Sequence, residues 1–129
     1  MVKYEKSCGA VIFNDDFVLL IQNKKSKHWS FPKGHQEVGE TDLETAYREV
    51  EEETSLKINI NPEAFVIINY SPAKNVSKDV KYYKAKYLSG NLVPQETEIE
   101  NIGWFKINEA IEKITFQIEK DVLDKILKM

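Results

Sequence analysis

Residues 34–56 read GHQEVGETDLETAYREVEEETSL. The stretch changes character at Thr41. Before it, Gly34 and Gly39 mark a loop. After it, Thr41 followed by Glu44 forms a capping-box pattern: the threonine hydroxyl takes the N3 amide and the glutamate reaches back to the cap. Leu43, Ala46, Tyr47 and Val50 then recur at i, i+3, i+4 and i+7, which predicts a helix over 41–54 with a buried stripe. The end of that helix is unusual. Glu49, Glu51, Glu52 and Glu53 crowd together, and Ser55 stands where a glycine commonly closes a helix.

A helix advances about 100° per residue. Glu49 and Glu53, four apart, lie nearly above one another, and Glu52 sits beside them. These three share a face next to the buried stripe; Glu51 points elsewhere. Like charges so placed repel by a few tenths of a kcal/mol per pair even when solvated. A hard divalent cation would reverse that sign, because it seeks oxygen ligands. Arg48, four residues from both Glu44 and Glu52, could brace a carboxylate with its rigid fork. A plain solvated charged face explains the same residues equally well.

The rest of the chain sets limits. Its 129 residues, 42% hydrophobic and 30% charged, suit one globular domain over residues 1–129. Such a chain buries about two thirds of its unfolded surface. No apolar run approaches the length of a membrane span, and the N-terminus MVKYEKSCGAVIF lacks the order of a signal peptide. The one cysteine, Cys8, reads as a buried inert thiol, and a cytoplasmic location is expected. A net charge of −3 argues against a nucleic-acid coat or a polybasic membrane binder. The basic run Lys24, Lys25, Lys27, His28, Lys33 and His35 reads, from charge alone, as a solvated loop.

Ser7 to Asn14 and Phe17 to Asn23 predict a hairpin around Asn14-Asp15-Asp16. Trp29 to Glu40 reads as a loop with a short strand at its start. Further strands are expected at Lys57–Ile60, Phe65–Tyr70, Val80–Leu88 and Ile102–Phe105, and helices at Asn108–Lys113 and Gln117–Lys128. Irregular interleaving of this kind predicts an α+β fold, a mixed sheet with helices packed on it.

Read from Gly34, the pattern is glycine, five residues, Glu40, seven residues, Arg48-Glu49-Val50, one residue, Glu52-Glu53, one residue, Ser55-Leu56. It resembles the Nudix box at every specified position except Ser55, where the box has glycine. SCGAVIF resembles the family's first core strand, and Trp104-Phe105 after an acidic loop recurs in it, so the likeness covers most of the chain. The resemblance implies a mixed sheet sandwiched between helices and hydrolysis of a nucleoside diphosphate linked to a further group, with Mg²⁺ as cofactor and Mn²⁺ as a substitute. It implies that Glu49, Glu52 and Glu53 bind metal, that the Gly34 carbonyl can join them, and that Glu40 and Arg48 support the site. Glu98, six residues before Trp104, matches a further glutamate that approaches the metals in many members; Glu96 and Glu100 compete for that role. Glu52, Glu53 and Glu98 are the candidates for the proton-accepting carboxylate.

The flank WSFPKGHQEVGETDLETAYRE (Trp29 to Glu49) resembles the diadenosine tetraphosphate hydrolases within the family. That likeness implies that Lys33 and His35 meet the phosphate chain, while Lys24, Lys25 and Lys27 stay solvated. It also implies an aromatic ring stacked on adenine from VKYYKAKY. Alternation puts Tyr83, Ala85 and Tyr87 on the more apolar face, leaving Tyr82 as the stacking candidate. A packing role for Tyr82 is equally open, and for Trp29 the alternative reading is a cover over the loop. The leading expectation is asymmetric cleavage of diadenosine tetraphosphate to ATP and AMP. The alternatives are pyrophosphate removal from 5′-triphosphorylated RNA, sanitation of oxidised purine triphosphates, and a Nudix-like nucleotide sensor without activity. No stable nucleic-acid partner and no membrane are expected.

Overall fold

A computed structural model describes all residues 1–129. The sheet runs β3-β2-β1-β6-β5, with β1 at Lys3–Asn14, β2 at Phe17–Asn23, β3 at Trp29–Ser30, β5 at Lys57–Tyr70 and β6 at Val76–Ser89. Two strands join off that path: β4 (Lys33–His35) on β1 and β7 (Ile99–Lys106) on β2. β1 and β6 run parallel, in register from Lys3↔Val76 to Phe13↔Lys86; every other pairing is antiparallel. The sheet is therefore mixed, as expected.

Both faces are covered. α1 (Asp42–Thr54) lays Ala46 and Val50 on Cys8, Ala10, Ile12 and Tyr83. On the opposite face, α2 (Ile107–Lys113) and α3 (Gln117–Leu127) pack Ala110, Val122, Leu123 and Ile126 on Val11, Val80 and Tyr82. No helix is long and apolar enough to cross a membrane.

Four strands run beyond their expected bounds: β1 starts at Lys3, β6 spans Val76–Ser89, β7 spans Ile99–Lys106, and β5 joins two expected strands. Lys57–Ile60 and Phe65–Tyr70 are one strand, because a bulge between Asn61 and Phe65 absorbs Pro62 without breaking the ladder. β4, three residues inside the Pro- and Gly-marked loop, was not expected as a strand. It pairs Gly9 with Lys33 and Cys8 with Gly34. The approach is so close that a Cβ on Gly9 would lie 2.1 Å from the Pro32 carbonyl oxygen. This pairing brings the box loop onto the central strand, beside α1.

α1 begins as the capping box requires: Thr41 Oγ1 accepts from the Glu44 amide at 3.1 Å, and the Glu44 carboxylate accepts from the Thr41 amide at 3.0 Å. It ends at Ser55, whose φ of 65° is left-handed, and the Ser55 amide closes on the Glu51 carbonyl. The serine thus adopts the geometry a glycine would take. Its hydroxyl donates to the Val93 carbonyl at 3.2 Å, a bond glycine could not make. Left-handed geometry costs a non-glycine residue about 1–2 kcal/mol, and an exposed hydrogen bond returns about 0.5–1.5 kcal/mol. Ser55→Gly is therefore expected to raise stability in thermal or urea unfolding by less than about 1 kcal/mol, with turnover unchanged.

Candidate active site on the glutamate face

Arg48 organises the N-terminal half of the site. Its Nε and Nη2 hold the two oxygens of Glu40 at 2.7 and 2.9 Å, and Nη2 also donates to the His35 carbonyl at 2.9 Å. Glu40 accepts as well from the Glu37 amide and the Thr45 hydroxyl. The guanidinium and these donors hold the Glu40 carboxyl down at about 2. On its other side, Arg48 Nη1 reaches Glu49 Oε1 at 2.8 Å and both oxygens of Glu52 at 3.3 Å. One cation therefore ties the box loop to two of the three crowded carboxylates. Glu51 leaves the group and pairs with Lys57.

The three glutamates differ in surroundings. The Glu52 side chain is half exposed, at 49%. Glu49 is mostly covered, with its carboxylate lodged against Gly34: a Cβ there would lie 2.0 Å from the Glu49 carboxyl carbon. Glu53 is only 5% exposed, and its Oε1 accepts from the Lys33 amide at 2.9 Å. Burial, then the Glu49 charge, pushes the Glu53 carboxyl up to about 8. Burial also raises Glu49.

These shifts fix the sign of a pH dependence. Between the unfolded value of 4.5 and about 8, the folded state holds the Glu53 proton more tightly than the unfolded chain does. Metal-free protein should therefore lose stability as pH rises through that window. Glu40, held low, contributes stability that disappears only below it, as pH falls from 4.5 toward 2. Melting temperatures of EDTA-treated protein between about pH 5 and pH 8 test this, and a Glu53→Gln variant should flatten the slope.

The acidic loop places Glu96, Glu98 and Glu100 differently. Glu98 lines the same cleft as Glu49, Glu52 and Glu53. Glu100 turns away to Lys27 at 3.2 Å, and Glu96 does not line the cleft. The loop is held from two sides: Gln95 donates to the Glu53 carbonyl, and the Lys24 amide donates to the Glu98 carbonyl at 2.8 Å. The Lys24 ammonium also donates to the Glu96 carbonyl. Lys24 and Lys27 are therefore more than solvated surface: they anchor the segment that carries Glu98.

The cleft has a volume of about 1280 Å³, above the roughly 300–1,000 Å³ of ordinary small-molecule sites. Lys33 and His35 line it, and so does Lys78, which the sequence did not single out. Lys78 is 8% exposed and its ammonium makes neither an ion pair nor a hydrogen bond; burial lowers its pKa. In the same cleft the Ser7 hydroxyl is the one buried side-chain polar atom without a partner. A cation and a hydroxyl left unpaired at a cleft wall suit an anionic ligand. Further along, the rings of Tyr70, His28 and Phe116 line the cleft, His28 meeting Phe116 edge-on at 4.5 Å.

Tyr82 does not belong to this wall. It is 0% exposed, edge-on to Phe31, and its hydroxyl donates to Glu119 at 3.0 Å. The stacking expectation for Tyr82 is corrected: helices cover both faces of β6, so the more polar face is also core. Trp29 likewise faces Phe105 and Lys113 and does not line the cleft.

As the side chains stand, no three acidic, histidine or cysteine groups converge to hold an ion. Arg48 lies on Glu49 and Glu52, and the Lys33 amide on Glu53. The chemistry of the set nevertheless fits a hard divalent cation. The donors are all oxygen, a buried carboxyl beside like charge lacks a cationic partner, and Gly34 leaves room for the Glu49 carboxylate.

A mixed sheet between helices, with a carboxylate-rich helix lining a cleft of mixed charge, agrees with the fold of Nudix hydrolases. A family model described as NUDIX domain matches residues 3–126, and the chain belongs to that family. It is 31% identical over 115 residues to the asymmetrical bis(5′-nucleosyl)-tetraphosphatase of Caenorhabditis elegans, a match covering 87% of this chain and 80% of that protein. The crystal structure of a C. elegans Ap4A hydrolase binary complex is similar at a TM-score of 0.87 and 28% identity over 96% of each chain. A Mycobacterium tuberculosis protein named for the mutator MutT4 is 33% identical over 105 residues; the match takes in 77% of this chain but only 42% of that protein.

Proposed function

We propose that this chain cleaves dinucleoside tetraphosphates asymmetrically, turning diadenosine tetraphosphate and water into ATP and AMP. The observation that carries the reading is one large cleft that Glu49, Glu52, Glu53 and Glu98 share with Lys33, His35 and Lys78 and with the rings of His28, Tyr70 and Phe116. The similarity to the C. elegans tetraphosphatase over most of both chains supports it.

Glu49, Glu52 and Glu53, with the Gly34 carbonyl, would hold Mg²⁺ or Mn²⁺, and Glu98 would approach from the acidic loop. The cation supplies charge neutralisation on the phosphoryl oxygens and a lowered pKa for the attacking water. Arg48 orients Glu49 and Glu52 and ties them to the loop through Glu40. Lys33, His35 and Lys78 hold the polyphosphate chain in register with the carboxylates. Glu52 is the proton acceptor in this account, because it is the most exposed of the three and the best placed to meet solvent water. Tyr70 or Phe116 takes the stacking role that the buried Tyr82 cannot fill.

Incubation with diadenosine tetraphosphate and Mg²⁺, followed by chromatographic separation, is the test. ATP and AMP in equal amounts are expected. Two molecules of ADP, or no turnover beside brisk cleavage of a capped RNA or a purine triphosphate, would refute the substrate assignment.

A further inference from the structure

The reaction just described leaves one buried charge unused. Glu119, in the first turn of α3, is only 7% exposed. Its Oε2 accepts both from the Ser30 hydroxyl and from the Tyr82 hydroxyl. No protein donor reaches Oε1. That oxygen is not sealed in the core either, since Ser7 Oγ is the one unpartnered buried side-chain atom. Glu119 lines the cleft, and no lysine, arginine or histidine forms an ion pair with it.

A carboxylate in the first turn favours the helix dipole, and that alone could explain an acidic residue here. It does not explain the burial, because a dipole partner works from the surface, where solvation comes free. Nor does a link from helix to sheet require charge: a glutamine would accept the same two hydroxyls. What a carboxylate adds is a second strong acceptor, left open toward the cleft. Phosphate would be repelled from that oxygen. The rings of His28, Tyr70 and Phe116 lining the same cleft offer flat faces for a base.

We infer that Glu119 reads the nucleobase, its free Oε1 accepting a hydrogen bond from an exocyclic amino group. The inference rests on the nucleotide reading of the cleft. It gives the bound nucleotide a polarity: base at Glu119, phosphates toward Lys33, His35 and Lys78. It makes an amino-bearing base the preferred ligand over one that lacks the amine. Glu119 is thus a specificity residue and takes no part in the hydrolytic step.

The probes are AMP and purine riboside 5′-monophosphate, which differ by that amino group. Each is titrated by NMR into intact protein in EDTA, so that no turnover occurs. Wild type should bind AMP about tenfold more tightly, the scale of one hydrogen bond to a charged acceptor. In Glu119→Gln the carbonyl can keep the Ser30 and Tyr82 bonds and the amide turns a donor to the cleft, so the preference should shrink below about twofold. Tyr82→Phe leaves Oε1 in place and should retain the preference, which separates base reading from packing. Equal binding of the two probes by wild type, or an unchanged preference in Glu119→Gln, or its loss in Tyr82→Phe, overturns the inference alone. Binding of neither probe overturns the nucleotide reading, and the inference with it.

Discussion

Glu53→Gln is expected to lower Mg²⁺-dependent turnover by about a hundredfold or more while the metal-free protein melts no lower than wild type at pH 8. The two effects have one cause. Glu53 is buried at 5% exposure, beside the Glu49 charge, and its carboxyl is pushed up to about 8. Removing that charge relieves desolvation and repulsion in the empty site. The glutamine carbonyl can still accept from the Lys33 amide, so β4 keeps its tie to α1. What disappears is the charge a cation would neutralise. Steady-state rates and melting curves on the same preparation check both halves. A variant that lost stability and activity together would show Glu53 to be scaffold, and unchanged turnover would remove it from the site.

Gly34→Ala should separate the same two quantities from the other side. Its Cβ would meet the Glu49 carboxylate, with contacts of 2.0 to 2.5 Å to the carboxyl group. That carboxylate is the far end of a flexible side chain, so it can swing away. The stability cost should stay within the roughly 1–3 kcal/mol of ordinary overpacking. In the proposed mechanism Glu49 holds the cation, and a displacement of about 1 Å at such a group can cost about a hundredfold. The expected result is therefore a folded protein with turnover down by about that factor, read by unfolding curves beside rate measurements. Near-normal turnover would mean that Glu49 needs no fixed position.

The contrast between what the sequence revealed and what it hid has a physical basis. α1 was legible because two independent local signals agreed, the capping box at Thr41 and Glu44 and the helical recurrence of Ala46 and Val50. The face shared by Glu49, Glu52 and Glu53 followed from helix geometry alone. Ser55 was legible as an anomaly, and its left-handed backbone shows that the cap is kept without the glycine. The continuity of β5 was hidden because Pro62 reads as a break, whereas a bulge accommodates it. Tyr82 was misplaced because period-two alternation names two faces but cannot say which meets solvent; here neither does at that point. Lys78 and Glu119 carry no local mark at all. Their significance comes from being buried and incompletely paired, which only the tertiary arrangement reveals. Spacing from Trp104 favours Glu98 over Glu96 and Glu100, and only the tertiary contacts of Lys24 and Lys27 show that Glu98 is the one that lines the cleft.

The central claim is that the crowded glutamates form a divalent-cation site serving a nucleotide cleft. Titration of Mn²⁺ into the metal-free protein, followed by electron paramagnetic resonance, measures that site without reference to turnover. The account predicts saturable binding by wild type, weakened about tenfold or more in Glu53→Gln and in Glu49→Gln, with Glu51→Gln unchanged. Equal affinity in all four proteins would contradict it, and would return the glutamate face to an ordinary solvated surface.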